Sequence, residues 1–348
     1  MAIFSTSGAR IAGIAAAVPS TAIHNSDYDL ISESERKLLI KTTGIASRHI
    51  TDSGLTTADL CFEAAESIIK NLNWSKDEID LVVLVTQSPD HFLPASAIIL
   101  QDRLGLRKTT AAFDISLGCS GFVYGLSVVS SMMSTGGFRK ALLLAGDISS
   151  AGVNTKDKST YPLFGDAGTA TAIEYYGDYH ITFNLQSDGS GKDAIIIPDG
   201  GLRHPIDEKT FIEEQPESGI IRHRRNLWLN GLDVFNFSVT EAPRNIKALM
   251  EHLSIGEKDV DYFVMHQANK LMNETIRKKL KFPEEKTPYT LEQFGNTSSA
   301  SIPLTIAAAC KENNLHRKWL LAAFGVGLSW GSCYLETEGL ICPPVQYI

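Results

Sequence analysis

Cysteine is scarce and scattered in this chain: Cys61, Cys119, Cys310, Cys333 and Cys342 are five in 348 residues, with no CxxC pair. An odd, widely spaced set argues against a disulfide framework or a zinc site and for a reducing, cytoplasmic setting. No apolar run approaches the roughly 20 residues of a membrane span. Ile11 to Val18, after Arg10, imitates a short signal peptide, but Pro19 and Ser20 end it like a buried strand entering a turn. No Lys/Arg cluster with interleaved aromatics occurs, so nothing calls for nucleic acid. No Pro/Ser-rich or low-complexity linker divides the chain.

Apolar residues make up 43% and charged residues 21%, an ordinary globular balance with ample core. The length suits one large domain or two fused halves. The net charge of −8 still permits a local basic patch for an acidic partner.

The chain repeats itself. Ile79-Asp80-Leu81-Val82-Val83-Leu84-Val85 and Val260-Asp261-Tyr262-Phe263-Val264-Met265 are each an apolar-Asp step followed by a buried strand. Arg139-Lys140-Ala141-Leu142-Leu143 resembles Arg317-Lys318-Trp319-Leu320-Leu321. Small-residue helix starts follow at Gly118-Cys119-Ser120 and Gly295-Asn296-Thr297. The offsets from Asp80 to Asp261, Arg139 to Arg317 and Cys119 to Asn296 are 181, 178 and 177 positions, a period too long for a solenoid. Strands alternating with helices predict α/β layers in two related halves, 1–175 and 176–348. The nearly charge-free helix from about Ser120 to Met133 should lie buried between them.

Pseudo-symmetry then brings matching helix starts together, so Cys119 and Asn296 become neighbours. His266, at a strand end, can reach the same place. Unpaired N–H groups and the macrodipole at a helix start favour negative charge, so the Cys119 thiol is expected to have a lowered pKa. Alone, a cysteine there is a small core residue, a histidine is structural and an asparagine is a helix cap. Their matching places in the repeat raise the functional reading. Phe164-Gly165-Asp166-Ala167-Gly168 lacks the lysine of a phosphate loop and reads as a tight turn bordering the site. Gly325-Val326-Gly327 reads as another tight turn.

These motifs resemble β-ketoacyl-acyl-carrier-protein synthase III, of the thiolase-like condensing enzymes. The likeness includes Thr43-Gly44-Ile45 with Arg48-His49, Asp114 with Cys119-Ser120-Gly121, and Phe164 to Gly168. It continues through Ser187-Asp188-Gly189-Ser190, His266-Gln267-Ala268-Asn269, Gly295-Asn296-Thr297-Ser298, and Phe324 to Gly327 with Trp330-Gly331-Ser332. It implies a duplicated αβαβα thiolase-like fold, a homodimer, and a Cys119, His266, Asn296 triad. Cys119 would carry the acyl group from acyl-CoA or another thioester, and malonyl-acyl-carrier protein would lose CO2 and attack it. Backbone N–H groups of Cys119 and Val326 would form the oxyanion hole. Leu93, Phe164, Gly165, Asn269 and Ser298 would line the substrate pocket. No metal or redox cofactor is required.

The chain also departs from the family. Leu38-Leu39-Ile40-Lys41 stands where a tryptophan usually stacks on adenine, and Thr42 replaces an arginine. Asn236 and Leu271 replace a lysine and an arginine that help hold the carrier protein. Arg244, Lys247 and Lys270 could rebuild that basic patch. Leu93 replaces a phenylalanine that crosses the dimer interface and limits acyl length, which hints at a primer other than acetyl. Rival readings are a specialised acyl pathway, acyl transfer without decarboxylation, and a non-catalytic partner subunit.

Overall fold

The computed structural model describes residues 2–52, 54–309 and 316–348, so Cys310 lies outside the described residues. One nine-stranded sheet system organises the chain. Its strands are β1 (Ala2–Val18), β2 (Leu81–Val85), β3 (Ala111–Ile115), β4 (Lys140–Asp147), β5 (Ala167–Ser187), β6 (Tyr262–Met265), β7 (Arg317–Gly325), β8 (Ser329–Thr337) and β9 (Gln346–Tyr347). The helices are α1 (Glu33–Thr43), α2 (Thr57–Asn71), α3 (Ser96–Arg103), α4 (Gly121–Met133), α5 (Gly231–Leu253), α6 (Lys270–Leu280), the short α7 (Leu291–Phe294) and α8 (Ser301–Ala309).

Two long strands divide the sheet system into two layers. Residues 167–174 of β5 pair with β4 on one edge and the second part of β1 on the other. Residues 181–187 pair with β8 and with the first part of β1. Strand order is therefore β3-β2-β4-β5-β1 in one layer and β6-β7-β8-β5-β1 in the other. β5 carries the chain through residue 175 without leaving the sheets.

Alternation along the strands builds three cores. Leu81, Val83 and Val85 face α4 and α8 in the middle, and Val82 and Leu84 face α2 and α3 outside. In the other layer Leu321 and Ala323 face the middle, and Leu320, Ala322 and Phe324 face α5 and α6. Successive strand side chains point to opposite faces, so a strand covered twice must be apolar throughout. All five β2 residues are fully buried. Each such Val or Leu contributes about 1.5–3 kcal/mol. The result is the expected α-β-α-β-α layering.

The repeat is visible in single bonds. Asp80 Oδ2 accepts from the Arg139 N–H at 2.7 Å, and the Asp80 N–H donates to the Lys140 carbonyl at 2.9 Å. Asp261 Oδ2 accepts from the Lys318 N–H at 2.8 Å, and the Asp261 N–H donates to the Lys318 carbonyl at 2.9 Å. Each aspartate thus locks the start of its strand to the next.

The segment 188–230 crosses over the strand ends as a cap. Trp228–Leu229 pairs with Ile195–Ile196, and Arg224 grips the Asp199 carboxylate through Nε and Nη2 at 2.9–3.0 Å. Among the described residues, no helix is long and apolar enough to cross a membrane.

Candidate active site

The C-terminal ends of the strands open into a cavity of about 1230 Å³, and Cys119, His266 and Asn296 all line it. Three chain segments far apart in sequence deliver them.

Cys119 sits in the turn between β3 and α4, two residues before the helix begins. The Ser120 hydroxyl bonds Ser329 Oγ at 2.6 Å, and Ser329 Oγ donates to the Val326 carbonyl at 2.8 Å. Those two bonds tie the cysteine turn to the Gly325–Gly327 turn. Gly325 lets the turns touch, since a Cβ there would stand 2.4 Å from Cys119 Cβ and 2.9 Å from Sγ. The backbone N–H groups of Val326 and of Cys119 itself act on the sulfur, each pulling its pKa down. These are the two donors expected to form the oxyanion hole.

The expected lowering of the thiol pKa is not found. Burial pushes the Cys119 thiol up to about 11, and the Asp147 carboxylate adds to the rise. The Val326 N–H and the Ser298 hydroxyl pull the other way without offsetting it. Cys119 is half-buried, opening onto the cavity, so the protein packed around its sulfur outweighs the few backbone dipoles that favour the thiolate.

His266 follows β6. Its backbone N–H donates to the Ala322 carbonyl at 2.8 Å, and its carbonyl accepts from Asn273 Nδ2 at 2.9 Å. The ring stands edge-on to Phe324, with centroids 5.7 Å apart, and Nδ1 lies 2.7 Å from Ser301 Oγ. Burial holds its pKa down to about 3, against a backbone hydrogen bond with Ser298. The imidazole is therefore neutral at pH 7. The next residue, Gln267, is occupied structurally: Nε2 donates to the Met265 carbonyl and Oε1 accepts from the Thr290 N–H.

Asn296 is fixed through its backbone. Its N–H donates to the Leu163 carbonyl at 2.9 Å, and its carbonyl accepts from the Gly165 N–H at 3.0 Å. Its side-chain Oδ1 accepts from the Ser298 N–H at 3.0 Å, which engages the acceptor end of the amide.

Leu93, Phe164, Asn269 and Ser298 line the cavity as expected, with Leu93 83% exposed at its rim. Asn269 caps α6 by accepting from the Met272 N–H at 2.9 Å through its side-chain oxygen. Gly165, expected in the pocket, does not line the cavity. It packs behind the wall, where a Cβ would stand 2.3 Å from the Phe294 carbonyl oxygen. Arg244, Lys247 and Lys270 are exposed on α5 and α6, and Arg244 pairs with Glu241 at 2.7 Å. None of the three lines the cavity; Lys158 and Arg225 do. The sequence reading passed over these two, and over Asp147, which also lies in the wall. An acid at the end of an apolar strand was the available signal for Asp147, but its partners lie in other segments.

A family model described as 3-oxoacyl-(acyl-carrier-protein (ACP)) synthase III matches residues 113–189, and one for its C-terminal part matches residues 250–337. A β-ketoacyl-(acyl-carrier-protein) synthase III of Campylobacter fetus is 33% identical, covering 95% of this chain and 99% of its own. That of Rhodopirellula baltica is 34% identical, covering 93% and 97%. The crystal structure of a 3-oxoacyl-(acyl-carrier-protein) synthase from Burkholderia xenovorans superposes with a TM-score of 0.93 at 34% identity, covering 99% of this chain and 98% of that one. A synthase III from Pseudomonas aeruginosa gives 0.83 at 28% identity, covering 96% and 99%.

Proposed function

Since the chain belongs to the 3-oxoacyl-(acyl-carrier-protein) synthase III family, we propose that Cys119, His266 and Asn296 carry out its condensation. The enzyme is an acyltransferase of the condensing type, working in fatty-acid biosynthesis. Its carbon source in this reading is malonyl-acyl-carrier protein, and its primer is an acyl thioester.

The Cys119 sulfur attacks the primer's carbonyl, and the thiol of the donor leaves with the proton that the sulfur gives up. The thiol rests protonated, so proton loss accompanies attack. The oxyanion of the tetrahedral intermediate sits against the N–H groups of Cys119 and Val326. Malonyl thioester then enters. Its carboxylate leaves as CO2, and the electron pair moves into the thioester as an enolate. The neutral His266 ring and Asn296 Nδ2 donate to that enolate oxygen. The ring does so through Nε2–H, the tautomer set when the Ser301 hydroxyl donates to Nδ1. The carbanion attacks the acyl carbonyl, the β-ketoacyl thioester leaves, and the Cys119 thiolate takes up a proton. No step calls for a metal or redox cofactor.

One observation carries this reading: Cys119, His266 and Asn296, delivered by separate segments, line the same cavity. Mass spectrometry after mixing with a pool of acyl thioesters tests it. Acyl mass should appear on the wild type, not on Cys119→Ala, and malonyl-acyl-carrier protein should then release CO2. A silent Cys119 with every primer sinks the proposal.

Two finer statements belong to the same reading. The large cavity and the exposed Leu93 favour primers longer than acetyl. Phe92 and Leu93, 91% and 83% exposed, fit burial in a homodimer, which light scattering would detect. A cytoplasmic location suits a thiol nucleophile that must stay reduced.

A further inference from the structure

Asp147 ends β4, is 3% exposed, and takes no part in the steps above. Its two oxygens bind different parts of the molecule. Oδ1 accepts from the Gln87 N–H at 2.7 Å, Thr86 Oγ1 at 3.1 Å and Ser88 Oγ at 3.4 Å, all in the loop after β2. Oδ2 accepts from Ser299 Oγ at 2.8 Å and the Ser299 N–H at 3.2 Å. The Ser298 hydroxyl lies near enough to both this carboxylate and the Cys119 sulfur to lower the pKa of each. A buried carboxylate needs such a set of donors to stay in place.

The turn it grips is the one that carries Asn296. Ser298 has a φ of 51°, a left-handed conformation that a serine holds only where its surroundings demand it. The Ser298 N–H is also the donor that orients the Asn296 carboxamide. The carboxylate thus pulls the 296–299 turn onto the β2–β4 loops from a point that is not itself in the reaction.

We propose that Asp147 is a positioning residue for the condensation: its carboxylate holds the 296–299 turn so that Asn296 and Ser298 face Cys119. The proposal rests on the roles given to Cys119 and Asn296 above. Asparagine at 147 keeps the size but sets an NH2 group against the N–H of either Gln87 or Ser299. The turn then shifts, and the group that stabilises the enolate moves with it, while the Cys119 and Val326 turns stay tied through Ser120 and Ser329. A misplacement of this kind costs about tenfold or more in the step it affects.

The carboxylate is also a charge beside the sulfur. The titratable groups at Cys119 are Asp147 from β4 and His266 after β6. Farther along the cavity walls stand Glu35, Asp90, His91, Lys158 and Arg225. Removing the Asp147 charge makes the thiolate easier to form.

The test compares wild type, Asp147→Asn and Ser299→Ala in three measurements: Cys119 acylation by mass spectrometry, CO2 release from malonyl-acyl-carrier protein, and the pH profile of Cys119 alkylation. For Asp147→Asn, CO2 release should fall about tenfold or more while acylation changes by less than about threefold. Its alkylation profile should shift to lower pH. Ser299→Ala keeps the charge, so it should lose CO2 release selectively, with no such shift. Loss of both half-reactions in parallel, or of neither, overturns the proposal. If Asp147→Asn fails to fold by circular dichroism, Ser299→Ala decides on the same criteria. A wild type that is not acylated at Cys119 refutes the parent reading instead, which keeps the two failures apart.

Discussion

The Asn296 carboxamide oxygen accepts from the Ser298 N–H at 3.0 Å. That bond commits the acceptor end of the amide, on a residue that lines the cavity with Cys119 and His266. Asn296 is useful here for its two N–H groups, and an isosteric carboxylate would have none.

Asn296→Asp should therefore separate the half-reactions. Acylation of Cys119 continues, while CO2 release from malonyl-acyl-carrier protein drops about 100-fold or more, the cost of losing one aligned donor plus placing a charge beside the enolate. Equal loss in both assays would show that Asn296 does not act on the enolate.

Gly325→Ala tests how closely the two turns approach. The new Cβ would stand 2.4 Å from Cys119 Cβ and 2.9 Å from its sulfur, so one turn has to move. Acylation should fall about tenfold or more, and overpacking should cost about 1–3 kcal/mol of stability in urea unfolding. Unchanged acylation would mean the turns are not held as close as described.

The Cys119 thiol is held up to about 11, mainly by burial. Its alkylation by iodoacetamide should be slow at pH 7 and climb about tenfold per pH unit to pH 9, following the thiolate fraction. Peptide mapping separates it from the buried Cys61 and Cys333. A rate already level at pH 7 would reveal a thiolate activated at rest.

His266 gives a stability signature with a definite sign. Its ordinary value is 6.5, and burial lowers it to about 3 in the folded chain. Below pH 6.5 the unfolded chain binds a proton that the folded chain refuses, so stability is lost as pH falls toward 3. The loss is up to about 1.4 kcal/mol per pH unit in that window. The urea midpoint should thus fall more steeply from pH 7 to 4.5 in wild type than in His266→Asn. For the same reason the condensation rate should show no acidic limb near pH 6.5 from this ring. Parallel urea slopes would place the imidazole in contact with water.

Much of this was legible in the residues. Strand cores such as Leu81–Val85 are apolar at every position because both faces are covered, and that shows in a linear string. The paired Asp80 and Asp261 steps exposed the repeat, and the structure gives each carboxylate a backbone N–H at the start of the neighbouring strand. The repeat in turn put Cys119 and Asn296 together. Gly165 was misplaced because a glycine-rich turn does not say which side of a wall it packs on. The direction of the Cys119 shift was misread because a helix start is a local feature, while desolvation comes from every segment around the sulfur. Asp147 escaped notice because its donors come from residues 86–88 and 299.

The order of residues alone established the apolar strand cores, the internal repeat and the family motifs that carry Cys119, His266 and Asn296, since these are patterns readable along the chain. The folded chain alone decided how strongly the Cys119 sulfur is desolvated, that Ser301 stands against His266 Nδ1, and which segments the Asp147 carboxylate joins. Burial and cross-segment hydrogen bonds come into being when the two layers close on α4 and α8, so no stretch of sequence carries them by itself.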